Sequence, residues 1–194
     1  MITDFPPTPE HPDQISGLLE VYRSLIDDRE AWYVSTPLTT GKLFREISSQ
    51  HPTSQSELEA LLAELVIEPN RRQAEQFVRK LRSKTRYVIN PAAVHDIEGW
   101  TQGDYRYFWG LVIEQFSECV VFRDGWHLSS GCSWEFLVAI RAGVITLDES
   151  LAPLGVKDGV LLLRRSLTKE SATNSEFLRR VLSSLREMTE KPHA

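Results

Sequence analysis

Cysteine is scarce in this chain: 194 residues carry two, Cys119 and Cys132. Two thiols cannot build a disulfide scaffold or a four-thiolate zinc site, and such usage fits a reducing, cytoplasmic setting. No metal is expected, because His95, Asp96 and His127 do not form a ligand spacing. Long apolar runs are missing too; none approaches the ~18 residues that a membrane-spanning helix needs. The opening MITDFPPTPEHPDQ lacks the basic start and apolar core of a secretory signal. Positive charge is not in excess: 22 Lys and Arg stand against 27 Asp and Glu, for a net charge of −5. That balance argues against a binder of polymeric nucleic acid, which needs concentrated Lys and Arg. Internal repeats and low-complexity tracts are likewise lacking.

What is present reads as a globular domain. Apolar residues make up 41% of the chain and charged residues 25%, with both signs interspersed. The length suits one domain able to bury a sizeable core. Four prolines among the first twelve residues mark a loose arm. Ile15, Leu18, Leu19, Tyr22, Leu25 and Ile26 follow at helical spacing. The expected division is an N-terminal arm and helix over 1–30, a main domain over 31–165 and a C-terminal helix over 166–194.

Within the main domain, short apolar runs alternate with helical patterns. Strand candidates are 31–35, 86–89, 119–122 and 144–147, with Val160 to Leu163 as a possible further one. A long helical region from about Lys42 to Arg82 should break near His51-Pro52 and Glu68-Pro69. Further helices are expected over 104–117 and from about Gly131 to Ala142, the latter ended by Gly143 in a left-handed cap. This alternation predicts an α/β, Rossmann-like (flavodoxin-like) parallel sheet of about five strands with helices on both faces. Ligands of such sheets bind beyond the carboxyl ends of the strands. The loops to read are therefore Thr36 to Gly41, Asn90 to Gly103 and Arg123 to Ser130.

The third loop holds an unusual set. After Val120-Val121-Phe122 come Arg123-Asp124-Gly125-Trp126-His127-Leu128-Ser129-Ser130-Gly131-Cys132-Ser133-Trp134-Glu135. Ser129, Ser130 and Gly131 at a strand-to-helix junction offer hydroxyls and free backbone N–H groups, a natural anion cradle. Glu135 lies about one turn into the helix and can lean back over that cradle. Two readings stay open at this point: a carboxylate that merely suits the helix dipole, or one that does chemistry.

Gly125-Trp126, Ser129, Gly131 and Glu135 resemble the GW-x-x-S-x-G-x-x-x-E signature of the nucleoside 2-deoxyribosyltransferase-like superfamily. Tyr33-Val34-Ser35-Thr36-Pro37-Leu38-Thr39-Thr40-Gly41 is similar to its opening strand and loop, and Val88-Ile89-Asn90-Pro91 to its second strand. The matches occur in the family's order from residue 32 to about 147. The resemblance implies a small-molecule nucleoside or nucleotide ligand, no cofactor, and a homo-oligomer. It also implies that Glu135 attacks C1′ of a (deoxy)ribosyl group, with the Tyr33 hydroxyl orienting it. Ser129 stands where relatives hydrolysing 2′-deoxynucleoside 5′-phosphates contact the phosphate, so a nucleoside 5′-monophosphate is the expected substrate.

The chain departs from the pattern at two places. Thr36 replaces the family's opening glycine, narrowing the approach to sugar or phosphate. Where the family carries an Asp to handle the leaving base, ungapped counting from Glu135 reaches Leu111. Asp104 and Asp124 are then the carboxylates nominated as acid. Trp126 is nominated to stack on a base, with Gly125, Thr36 and Pro37 as further binding positions. Trp100, Tyr105, Tyr107 and Trp109 form an aromatic cluster that reads either as a stacking platform or as packing. Arg71, Arg72, Arg79, Lys80, Arg82, Lys84 and Arg86 read most simply as a solvated face. The expected activity is cleavage or exchange of the base–sugar bond of a nucleoside 5′-monophosphate. The alternatives are a non-catalytic sensor of a nucleotide or NAD-derived ligand, and a structural partner protein.

Overall fold

A computed structural model describes residues 8–26, 29–50, 61–167 and 172–190. Four strands form one all-parallel sheet: β1 (Ala31–Ser35), β2 (Tyr87–Ile89), β3 (Ser117–Phe122) and β4 (Ile145–Asp148), in the order β2-β1-β3-β4. Around it lie α1 (Pro12–Leu25), α2 (Lys42–Gln50), α3 (Glu68–Leu81), α4 (Gln102–Phe116), α5 (Ser130–Arg141), α6 (Val156–Leu167) and α7 (Ala172–Glu190). This is the expected α/β, Rossmann-like architecture, with four strands rather than five. Val160 to Leu163 belong to α6, whose buried Gly159, Leu163 and Ser166 recur at helical spacing. No helix among the described residues is long and apolar enough to cross a membrane.

The strands alternate between two cores because successive side chains point to opposite faces. Val34, Cys119 and Val121 face α3, where Val78 and Leu81 cover them. Tyr33, Val120 and Phe122 face the larger core, built with Phe108, Trp109 and Ile113 of α4 and Phe136 and Leu137 of α5. Ile15 and Leu19 of α1 and Phe177, Leu178 and Val181 of α7 bury themselves in that same larger core.

The break expected at Glu68-Pro69 does not occur. A π-helical turn over Ala63–Ile67 runs straight into α3, and the Glu68 N–H bonds back to the Ala63 carbonyl. A widened turn gives room to a proline ring that would otherwise clash with the preceding turn. The break expected near His51-Pro52 lies outside the described residues.

Two glycines shape the site end of the sheet and its return. Gly125 (φ +78°) makes the left-handed turn between β3 and a single 3-10 turn over Trp126–Leu128, and that turn delivers the chain to α5. Gly143 (φ +67°) ends α5 as expected, its N–H bonding the Ile140 carbonyl.

Candidate active-site cleft

Neighbours β1 and β3 run into connections that lead to opposite sides of the sheet, so their carboxyl ends form its switch point. Tyr33 and Ser35 lie two residues apart on one face of β1, and both are fully buried. Residues Gly131, Cys132 and Glu135 share one face of α5, at spacings of three and four. The two faces meet. Tyr33 Oη donates to Glu135 Oε1 at 2.7 Å, and Ser35 Oγ donates to Glu135 Oε2 at 2.6 Å. One carboxylate is thus held by two hydroxyls from a central strand.

Burial pushes the Glu135 carboxyl up to about 7, against the two hydroxyl bonds, which favour its charged form. Burial, together with the neighbouring Glu135, raises the Tyr33 phenol well above its ordinary range, so it remains a donor. Cys132 is pushed up to about 12, chiefly by burial, which makes it an inert thiol rather than a nucleophile. It lines this cleft, whereas His127 lines another.

Glu135 opens into a cleft of about 200 Å³. One wall is the loop after β1, with Thr36, Leu38, Thr39 and Thr40; a second is Ser129, Ser130 and Gly131 at the start of α5. Pro91, Ala92, Val94 and Asp96 from the loop after β2 complete it, with Gln102, Tyr105 and Trp109. The volume falls below the roughly 300–1,000 Å³ that engulfs a drug-sized ligand. It suits a sugar-sized group with its substituents reaching outward. Ser129 caps α5, its Oγ accepting from Cys132 N at 3.4 Å, and its hydroxyl also bonds the Cys132 thiol. Thr36 Oγ1, at the carboxyl end of β1, is buried without a partner among the described residues.

Several nominated residues lie elsewhere. Asp104 is 0% exposed and belongs to the fold. It accepts bonds from the backbone of Glu10, His11 and Thr101 and from the side chains of His11 and Thr101, closing a capping box at α4. Burial alone would raise its pKa; the bonds from Thr101 and His11 outweigh it and hold the carboxyl well below the usual range. Asp124 is exposed, pairs with Lys42, and opens on a second cleft. Trp126 is 3% exposed and packs at a tilt against Phe122 and Phe136, with ring centroids at 5.0 and 4.7 Å, so it is core rather than a base platform. Gly125 lines the second cleft, and Pro37 is buried outside the lining of the first.

The second cleft, about 830 Å³, lies over the ends of β3 and β4. Asp124, Asp148 and Glu149 there serve the local structure. Glu149 pairs with Arg123 at 3.2 Å and accepts the Asp124 N–H, while Asp148 gathers Ser150 and Ala152. Among the described residues no cluster of His, Cys, Asp and Glu suits a metal ion.

The nominated aromatics divide. Tyr105 and Trp109 reach the cleft, whereas Trp100 packs on Tyr105 and Phe108 at 5.1 and 5.5 Å. Tyr107 lines a separate groove between α4 and α5. Arg72, Arg79 and Lys80 of α3 lie on a solvated face, whereas Arg71 is half-buried, pairs with Glu68 and donates from Nε to the Ala92 carbonyl at 2.9 Å.

Sequence reasoning missed Ser35 and Asp96. Ser35 had a signal, being a polar residue two positions from Tyr33 in an otherwise apolar strand. Asp96 had only its place in the second loop. No family model matches the chain, and neither a curated protein nor a solved structure matches it.

Proposed function

We propose that the cleft hydrolyses or exchanges the N-glycosidic bond of a nucleoside 5′-monophosphate, with Glu135 as nucleophile. The observation that carries this reading is the Glu135 carboxylate, gripped on both oxygens by Tyr33 and Ser35 and open to a sugar-sized cleft. An oxocarbenium-like transition state is stabilised by a carboxylate beside C1′. In the first step the C1′–N bond breaks, its electron pair leaves with the base, and Glu135 oxygen bonds C1′. Asp96 takes the place intended for Asp104 or Asp124: it is the aspartate lining this cleft. The departing base takes its proton from solvent, and Asp96 accepts the proton of the water, or of the incoming base, that releases Glu135. Ser129 and the α5 N-terminus receive the 5′-phosphate.

A non-catalytic nucleotide sensor is the second reading. It is favoured by the commitment of Asp104 and Asp124 to contacts outside the cleft. Incubation with a panel of nucleoside 5′-monophosphates, followed by chromatography for free base, separates the two. Base release supports the glycosidase; binding without release supports the sensor.

A further inference from the structure

Arg106 lies on α4, two residues beyond the capping box, and makes no ion pair with a carboxylate among the described residues. Its guanidinium lies over the Phe177 ring of α7 at 4.3 Å, which fixes its plane. Nη2 donates to Ser130 Oγ at 3.1 Å, while Nε is buried without a partner among the described residues. Burial lowers the pKa of the group, the sign of a charge held away from water at a cost.

The direction of the Arg106–Ser130 bond matters. A guanidinium can only donate, so Ser130 Oγ is obliged to accept. The serine hydrogen is then left to donate, and Ser130 lines the Glu135 cleft. A hydroxyl free to rotate serves a neutral or a charged ligand equally; one fixed as donor and polarised by a cation favours an acceptor rich in negative charge. Fixing Ser130 in this sense adds a directed donor beside the hydroxyl of Ser129.

We propose that Arg106, acting through Ser130, sets the selectivity of the cleft for a phosphorylated sugar over the unphosphorylated one. Arg106 is a positioning residue: Ser130 touches the phosphate, and Arg106 fixes the sense of its hydroxyl and supplies the compensating charge. The proposal rests on the glycosidase reading for the place of the ligand, but not on any bond being cleaved.

Ribose 5-phosphate and ribose are therefore the probes, since neither carries a base to release. Isothermal calorimetry on the wild type is expected to show tighter binding of ribose 5-phosphate, with an affinity that falls as salt rises. Arg106→Gln should weaken ribose 5-phosphate roughly tenfold to a hundredfold, flatten its salt dependence, and leave ribose as it was. Ser130→Ala should weaken it to a similar extent, and the double variant should add little, because the two residues act through one hydroxyl. Arg106→Lys, which restores the charge without the planar fork, should recover part of the loss. A purely structural role would lower thermal stability without changing the preference for phosphate. The proposal is overturned if the wild type does not prefer ribose 5-phosphate at concentrations up to about 10 mM. It is equally overturned if Arg106→Gln or a folded Ser130→Ala keeps the wild-type preference. Preference for the phosphate without base release from nucleotides would remove the glycosidase and leave this assignment standing.

Discussion

Tyr33 and Glu135 stand 102 residues apart in the chain, yet their side chains meet at 2.7 Å. The contact depends on the parallel pairing of β1 with β3, which sets Tyr33 opposite Val120, and on the short turn that carries β3 into α5. Fold and candidate site are joined at this bond, and its chemistry gives a sign to the pH response expected of the proposed reaction.

As nucleophile, Glu135 must be ionised. With its carboxyl raised to about 7, kcat/KM should climb roughly tenfold per pH unit below that value and level off above it. A buried carboxyl serving as general acid gives the opposite limb, with activity falling as pH rises through 7. A pH–rate profile of base release decides between the roles.

Stability carries the same proton. A folded-state pKa above the ordinary glutamate value means the native protein binds the extra proton between about 4.5 and about 7. Stability from this group is therefore full below 4.5 and declines as pH rises through 7. Glu135→Gln removes that dependence and, by this linkage, should be the more stable form at pH 8 by roughly 3 kcal/mol. Thermal unfolding of both proteins across the pH range measures the difference.

Tyr33→Phe and Ser35→Ala each delete a donor to the carboxylate, so both should move the activity limb to higher pH. A residue that merely packs would lower stability without moving the limb. The comparison is read from the pH–rate profiles of the two variants.

Asp104 and Asp96 should part company. Asp104→Asn keeps one oxygen but turns an NH2 toward either the Thr101 donors or those of the N-terminal arm, and should cost about 2–4 kcal/mol of stability. Because its pKa is depressed, the stability it contributes is present above the ordinary aspartate range and is lost as the solution is acidified. Its folded fraction should retain turnover. Asp96→Asn should instead spare stability and cut turnover by roughly 10²–10⁴, the range of general acid–base catalysis. Denaturation curves and single-turnover rates on both variants test the split.

Much of this was legible in the chain. Apolar runs separated by helical patterns are enough to order four parallel strands, since a strand buried on both faces shows as a continuous apolar stretch. Val160 to Leu163 misled because a four-residue apolar run fits a strand or a buried helix turn equally; only the wider spacing through Leu167 decides. Tyr33 and Glu135 were visible through their neighbours, and Ser35 through alternation on β1. Trp126 was misplaced because an aromatic residue in a binding loop looks the same on the page whether it faces ligand or core; Phe122 and Phe136 claim it. Asp104 looked free because its partners Glu10 and His11 lie more than ninety residues away.

The most direct test is base release from nucleoside 5′-monophosphates by wild type and by Glu135→Gln under identical conditions. Glutamine keeps the size of the side chain and partners for the Tyr33 and Ser35 hydroxyls, but it cannot form the bond to C1′. The account predicts release by the wild type and a loss in the variant on the order of 10³ or more, with nucleotide affinity roughly retained. Equal release by the two proteins would contradict the assignment of Glu135 as nucleophile.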